Sequence, residues 1–176
     1  MAPLPRRICL IGPESTGKSK LAQRLARELG AAYVAEFARE YAEARANALS
    51  AADVEPIARG QMANEDAVRD AERVVLDTDL ISTVVYARHY YGSCPQWIEA
   101  EARQRRAELY LLMDTDIAWL PDPARDAGDD AREDLFDAFR SALDEFRTKW
   151  VIVSGDWEQR WSRIGEHARG SREKFS

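Results

Sequence analysis

Residues 9–30 read "CLIGPESTGKSKLAQRLARELG", and this stretch decides how the chain folds. A short apolar run leads into a turn bounded by Gly12 and Gly17, and an amphipathic basic segment follows. Leucine recurs at every fourth position of residues 18–29, which predicts a helix with one apolar stripe. Gly30 suits the end of that helix, because glycine adopts the left-handed conformation without steric cost. The stretch therefore predicts a strand, a tight turn and a helix.

The turn matches G-x-x-x-x-G-K-[ST], the pattern of a phosphate-binding loop. Its glycines let successive backbone N–H groups face phosphate oxygens, and the following helix adds its positive N-terminal end. Lys18 can then reach the β- and γ-phosphates, and the Ser19 hydroxyl can bind Mg²⁺. The motif predicts a site for ATP and Mg²⁺, with the nucleotide held by Gly12, Glu14, Ser15, Thr16, Gly17, Lys18, Ser19 and Lys20.

Five short apolar runs predict strands at residues 7–11, 32–35, 74–77, 109–113 and 150–153. Four of them are continuous rather than alternating, which is typical of strands buried on both faces of a parallel sheet. Helical patterns cover residues 18–29, 52–73, 97–108 and 132–147. This alternation predicts an α/β fold, a three-layer P-loop NTPase of the nucleoside- and nucleotide-kinase kind, with a five-stranded parallel sheet.

Composition limits the functions that this chain can have. Its 176 residues fit one domain, predicted at residues 1–168 with a flexible tail at 169–176. The net charge is −6, which argues against a nucleic-acid-binding surface. No apolar run approaches the length of a signal sequence core or a membrane span, so we expect a cytoplasmic protein without nucleic-acid or membrane partners. Oligomeric state cannot be read from these residues.

Carboxylates follow two of the predicted strands. Glu36 stands at the end of the second strand, with Arg39 one turn on, and Asp77 and Asp79 end the third. An apolar run followed by Asp is the Walker B pattern, so Asp77 is predicted to bind Mg²⁺ together with Ser19. Ligands bind at the carboxyl ends of such strands, and this places Glu36, Arg39 and Asp79 on the acceptor side. Glu36 is the candidate to orient the acceptor hydroxyl and take its proton.

The segment after the fourth strand is rich in Pro, Gly and Asp, and predicts an exposed lid over residues 118–134. Arg125 and Arg132 lie in it, where guanidinium groups would match the oxygens of the transferring phosphate. Trp119 follows just past the strand end and is predicted to contact the acceptor. The catalytic set predicted from the residues is Lys18, Glu36, Asp77, Arg125 and Arg132.

Taken in order, "GPESTGKS", "EFAREY", "IARGQ", "DTDLIST", "DIAW…R" and "GDWEQR" resemble one family. It is the ribosylnicotinamide kinase domain of the bifunctional NAD-biosynthesis regulators, within a wider group of small AAA-like P-loop proteins. The resemblance runs from residue 7 to residue 163. The chain departs from it in the substrate-side loop, where the family's usual Pro-Trp is Ala118-Trp119.

The resemblance implies phosphorylation of the ribose 5′-hydroxyl of nicotinamide riboside, which gives nicotinamide mononucleotide. It implies phosphate and magnesium roles for Gly17, Lys18, Ser19 and Asp77. It also implies substrate-side roles for Glu36, Arg39 and Trp119, and a small nucleoside as the partner.

Two other functions stay open at this point. A deoxynucleoside or nucleoside-monophosphate kinase uses the same loop, although a monophosphate acceptor needs more basic residues near the second strand than Arg39. A regulatory AAA-like ATPase that signals by conformation is the alternative from another class. Such machines normally add a helical domain, for which residues after 150 leave little length.

Overall fold

The computed structural model describes residues 4–117 and 128–169, with side chains from residue 131 onward in the second range. It contains five strands, β1 Arg7–Ile11, β2 Ala32–Val34, β3 Val74–Asp77, β4 Leu109–Met113 and β5 Trp150–Val153. All pair in parallel in the order β2-β3-β1-β4-β5. The five-stranded parallel sheet predicted from the apolar runs is confirmed, and four strands have the predicted bounds.

Seven helices connect the strands in the described residues. They are α1 Lys18–Leu29, α2 Phe37–Glu43, α3 Val54–Asp66, α4 Leu80–Tyr91, α5 Gln96–Gln104, α6 Gly128–Glu145 and α7 Trp157–Ala168. A 3-10 turn, Ala51–Asp53, precedes α3. Gly30 ends α1 in the left-handed conformation, as predicted. None of these helices is long and apolar enough to cross a membrane.

Two apolar layers enclose the sheet. On one face, α1 and α7 pack against Ile8, Leu10 and Leu111. On the other, α3 to α6 pack against Cys9, Leu76 and neighbouring strand residues. Alternate residues of each strand thus point to opposite faces, and both faces are buried. The result is the predicted three-layer arrangement.

The bounds of three predicted helices were wrong. The helix predicted at 97–108 is Gln96–Gln104. The helix predicted at 52–73 ends at Asp66, because residues 67–70 form turns closed by backbone hydrogen bonds from Ala67 to Ala63 and from Val68 to Glu65. The helix predicted at 132–147 begins at Gly128, so residues 128–134 of the predicted lid are helical. Residues 118–127 of that segment, and residues 170–176 of the predicted tail, lie outside the described residues.

Candidate active site

The phosphate loop lies between β1 and α1 and curls through three residues with positive φ. These are Gly12 at 137°, Ser15 at 57° and Gly17 at 84°. A Cβ at Gly12 would lie 2.8 Å from the carbonyl oxygen of Met113, so a side chain has no room there. The Thr16 hydroxyl donates to the carbonyl of Pro13 at 2.9 Å, which fixes the curl internally. The loop has the shape that the motif predicted.

Lys18 is the first residue of α1 and is buried, with 7% of its surface exposed. Its Nζ donates to the carbonyl oxygen of Pro13 at 2.5 Å, so the ammonium folds back across the loop. The lysine thereby lies over the concave face of the loop, where phosphate oxygens bind in P-loop proteins. The neighbouring Lys20, predicted to assist the nucleotide, is exposed on α1.

Asp77, the last residue of β3, is 2% exposed beside the loop. Burial raises the pKa of Asp77 and the Glu36 carboxylate raises it further, while a hydrogen bond from Ser19 and the charge of Lys18 lower it. One oxygen, Oδ2, accepts a hydrogen bond from Tyr33 at 3.2 Å. The other, Oδ1, is buried without a hydrogen-bond partner among the described residues.

These features fit Mg²⁺. A hydroxyl and a carboxylate are the hard oxygen ligands that this ion prefers, and phosphate oxygens and water complete its shell in P-loop sites. An unpaired buried carboxylate oxygen is costly unless a cation or a donor meets it. Ser19 and Asp77 are therefore the residues that would hold the metal.

Glu36 precedes α2 and is buried, with 8% exposed. Its Oε2 lies 3.8 Å from Nε of Arg39, the residue one helical turn later. The side chain of Arg39 is 40% exposed, and its guanidinium forms an ion pair with Glu36. The charge of the Glu36 carboxylate contributes to the raised pKa of Asp77. The structure therefore brings together Lys18, Ser19, Glu36 and Asp77, as the sequence predicted.

A cavity of about 330 Å³ opens beside Glu36 and Asp79. Its described walls come from α2, α3, α4 and the segments between them. The polar and aromatic lining residues include Asn47, Ser50, Asp53, Gln61, Ser82, Thr83, Tyr86, Tyr90 and Tyr91. The volume falls in the range of small-molecule sites, and a few polar groups converge on an otherwise apolar surface. This cavity is the candidate acceptor site.

The cavity is acidic. Three carboxylates line it, those of Glu36, Asp53 and Asp79, and no Lys, Arg or His is among its described lining residues. Asp53 is partly committed, because it accepts a hydrogen bond from Tyr41 at 2.8 Å and pairs with Arg45 at 3.3 Å. Arg39 beside Glu36 and the pKa of about 7 of Asp79 reduce this negative charge further. The charge that remains favours a cationic or neutral ligand over one that carries a phosphate.

Asp79 lines the cavity, but both of its oxygens accept hydrogen bonds from the protein. Oδ1 caps α4 by accepting from the backbone N–H of Ile81 at 2.9 Å, and Oδ2 accepts from the Tyr110 hydroxyl at 2.6 Å. Burial, and then the charge of Glu65, raise the pKa of Asp79 to about 7. Its architectural role is thus established by geometry, and its predicted contact with substrate stays a prediction.

Arg132 lies on α6 and is 1% exposed, with Nη1 3.5 Å from the carbonyl oxygen of Ile117. It thus contacts the last residue described before residue 118. The other lid residues predicted to act, Trp119 and Arg125, lie outside the described residues.

A second buried arginine closes the end of β4 and β5. The guanidinium of Arg160 donates to the carbonyl oxygens of Val153 at 3.1 Å, Asp114 at 3.0 Å and Gly155 at 2.8 Å, and pairs with Asp116. This holds the β5–α7 turn, whose Trp157 ring would lie 3.5 Å from a Cβ at Gly17. The start of α7 therefore borders the phosphate loop.

Sequence reasoning missed most of the cavity wall. Tyr86 lies on a helix outside any quoted motif, and Asn47 follows α2 in a turn. Gln61 ends the block "IARGQ", to which no site role was assigned. The start of α4 could have been predicted from Asp79, because Asp is a preferred residue at the N-terminal cap of a helix. A helix that starts there turns back along the sheet.

A family model described as AAA domain matches residues 7–160. The chain belongs to this AAA-domain family. Two curated relatives are also similar to it, the trifunctional NAD biosynthesis/regulator protein NadR of Escherichia coli K12 and that of Salmonella typhimurium LT2. Each is 28% identical, over 93% and 92% of this chain. The chain spans 42% and 41% of these relatives, less than half of their length.

Solved structures agree with this placement. A crystal structure of NadR protein in complex with NR has a TM-score of 0.72 at 27% identity, and covers 98% of this chain and 53% of that chain. NadR protein in complex with NAD and AMP-PNP gives a TM-score of 0.71 at 27% identity, covering 98% and 52%. Thymidylate kinase from Ehrlichia chaffeensis, at 13% identity and a TM-score of 0.68, covers 92% of this chain and 97% of its own. That last likeness shows the fold alone, a P-loop kinase fold.

Proposed function

We propose that this AAA-domain protein transfers the γ-phosphoryl group of ATP to the ribose 5′-hydroxyl of nicotinamide riboside, giving nicotinamide mononucleotide. NR is the usual abbreviation of nicotinamide riboside, and a NadR protein has been crystallised with NR. A NadR protein has also been crystallised with AMP-PNP, an analogue of ATP. The similarity of this chain to NadR covers the phosphate loop, the metal-binding residues and the cavity.

The observation that carries the proposal is the charge of the cavity. Nicotinamide riboside has a permanent positive charge on its pyridinium ring and no phosphate. The wall formed by Glu36, Asp53 and Asp79, without a basic side chain among its described residues, complements that charge. Tyr90 and Tyr91 also line it, and a cationic ring gains about 0.5–2 kcal/mol from an aromatic face. A nucleoside monophosphate would place its phosphate against carboxylates, which disfavours it.

Each residue then has a task in phosphoryl transfer. Lys18 neutralises charge on the transferring phosphoryl group. Mg²⁺ held by Ser19 and Asp77 would supply further charge stabilisation on the phosphate oxygens. Glu36 borders both the cavity and the metal-binding residues, so it orients the 5′-hydroxyl and accepts its proton. Arg132, Arg125 and Trp119 are proposed to close the site from the segment after β4.

A panel of acceptors tests the proposal. Purified protein is incubated with MgATP and nicotinamide riboside, thymidine, deoxyadenosine or thymidine monophosphate, and each product is identified by mass. We expect nicotinamide riboside to give the highest kcat/KM and to gain one phosphoryl group. A preference for thymidine monophosphate would make the chain a nucleotide kinase, and ATP hydrolysis without any phosphorylated acceptor would favour the regulatory ATPase.

A further inference from the structure

Glu14, the third residue of the phosphate loop, carries a fully buried carboxylate. Its exposure is 0%, and Oε2 accepts a hydrogen bond from the Tyr86 hydroxyl at 3.1 Å. Its other oxygen, Oε1, is buried without a hydrogen-bond partner among the described residues. Buried acceptors without a partner are uncommon in folded proteins, and a bound water, ion or ligand is one explanation for them.

A carboxylate does not help a loop bind phosphate. The loop contacts phosphates through backbone N–H groups, Lys18 and the end of α1, all of which are positive. A negative side chain among them opposes the charge of the nucleotide. The side chain of Glu14 therefore serves something other than the phosphates.

Tyr86 shows what that is. It lies on α4 and lines the acceptor cavity, with its ring parallel to that of Tyr90 at 6.0 Å and 6°. On its other side the ring meets Phe139 of α6 edge-on at 5.7 Å. Two contacts thus fix the ring. Its hydroxyl links the Glu14 carboxylate, which is not itself among the described lining residues, to the cavity wall.

We propose that Oε1 of Glu14 accepts a hydrogen bond from a sugar hydroxyl of the acceptor other than the one phosphorylated, so that Glu14 selects ribose over deoxyribose. This rests on the proposed function, since it takes the cavity to hold a nucleoside. The reacting hydroxyl must face the phosphates, and a second hydroxyl on the same ring then lies beside the loop. A site built around such a bond rejects the analogue that lacks the hydroxyl, because a buried acceptor is left unpaired.

The test uses the whole chain and three acceptors: nicotinamide riboside, its 2′-deoxy analogue and its 3′-deoxy analogue. We expect kcat/KM of the wild type to fall about 10- to 100-fold for one analogue, the range of one hydrogen bond to a charged group. The ratio of kcat/KM for nicotinamide riboside to kcat/KM for that analogue is the ribose-to-deoxyribose ratio. In Glu14→Ala this ratio should fall to within about threefold of 1, because kcat/KM decreases only for nicotinamide riboside. Glu43→Gln, an exposed change on α2, should leave the ratio as in the wild type.

Binding of AMP-PNP separates this from a structural role. If Glu14 contacts the acceptor, Glu14→Ala binds AMP-PNP with an unchanged dissociation constant. Weaker AMP-PNP binding with an unchanged ribose-to-deoxyribose ratio would overturn the proposal, as would a wild type that accepts all three sugars equally. Should Glu14→Ala not fold, Tyr86→Phe keeps the ring and removes the hydroxyl that holds Glu14. That variant should lower the ratio at least threefold, and an unchanged ratio would count against the role of Glu14.

Failure of the proposed function looks different. If the wild type does not phosphorylate nicotinamide riboside, that substrate is excluded. The proposed role of Glu14 in selecting ribose over deoxyribose can still be tested. The ratio is then measured with the best nucleoside of the panel and its own deoxy or ribo counterpart.

Discussion

The hydroxyl of Tyr33 lies 3.2 Å from Oδ2 of Asp77, so a residue of the edge strand β2 orients the carboxylate at the end of β3. Burial, followed by the charge of Asp77, raises the pKa of Tyr33 to about 12, and the phenol therefore stays a donor at neutral pH. With Oδ2 held in this way, Oδ1 is the oxygen left to meet a cation.

Asp77→Asn should raise the Mg²⁺ concentration for half-maximal turnover at least tenfold, because an amide oxygen is a weaker ligand than a carboxylate. Tyr33→Phe, which frees the carboxylate without changing its charge, should raise it by about threefold. Both are measured as initial rates at saturating ATP over a Mg²⁺ titration. An Asp77→Asn protein with the magnesium dependence of the wild type would exclude Asp77 as a ligand.

Lys18→Ala should lower kcat by at least about 100-fold, since one preorganised positive donor to the developing charge is lost. The fold should persist, because the Pro13 carbonyl that accepts from Lys18 also accepts a hydrogen bond from the Thr16 hydroxyl. Circular dichroism and the melting temperature check this. Lys149→Ala, an exposed lysine before β5, is the matched control and should keep full activity.

Glu36→Gln should lower kcat by about 10²- to 10⁴-fold while the KM for ATP stays near that of the wild type, as expected when a general base is lost. Glu40→Gln changes an exposed carboxylate on the same helix and should have no effect. If Glu36→Gln altered Mg²⁺ dependence and Asp77→Asn altered the acceptor step, the two assignments would be exchanged.

Asp79 should make stability depend on pH. Its pKa of about 7 in the folded protein lies above its ordinary value of 3.8, so the folded state binds this proton more tightly than the unfolded state. The free energy of unfolding should therefore decrease as pH rises from about 4 to about 7, by up to a few kcal/mol. Asp79→Asn keeps a capping side chain and cannot titrate. Urea unfolding at pH 5, 6 and 8 should show a smaller decrease in Asp79→Asn, and equal slopes would refute this role.

Gly60→Ala should lower the free energy of unfolding by about 1–3 kcal/mol, the usual cost of overpacking. A Cβ there would lie 2.1 Å from Cε1 of Phe37, the first residue of α2. Since α2 borders the acceptor cavity, the KM for the acceptor should rise more than the KM for ATP. In a Phe37→Leu background, Gly60→Ala should lower the free energy of unfolding by less. An unchanged loss would mean that the destabilisation does not come from a clash with Phe37.

The strands could be predicted from the sequence because they are buried on both faces, so each is a continuous apolar run. Gly and Asp residues mark the ends of these runs. Sequence reasoning missed α4 for a related reason. That helix buries Leu80, Ile81, Val84, Val85 and Ala87, so apolar residues surround it and no single stripe remains to show the helical period. The helices α2 and α7 were also not predicted, so burial explains the failure for α4 alone.

The site divides in the same way. Residues 12–19 and Asp77 belong to motifs in which chemistry fixes residue type and spacing, so they could be read directly. Tyr86 and Gln61 reach the cavity because α3 and α4 pack against each other, and that packing leaves no pattern along the chain. The end of the long predicted helix at Asp66 was missed because residues 67–73 contain neither Gly nor Pro.

The described walls of the acceptor cavity all come from the span between residues 36 and 91, whereas the phosphate loop precedes it in the chain. Acceptor recognition and the phosphate loop are thus encoded in separate, consecutive stretches of the gene, although the recognition stretch also carries Glu36 and Asp77. Mutations elsewhere in that stretch can change the preferred nucleoside without touching the phosphate loop. Glu14 is the exception, since its carboxylate is fixed by Tyr86 from the other stretch. Evolution of acceptor choice in this lineage is therefore expected to proceed through pairs of substitutions at positions 14 and 86.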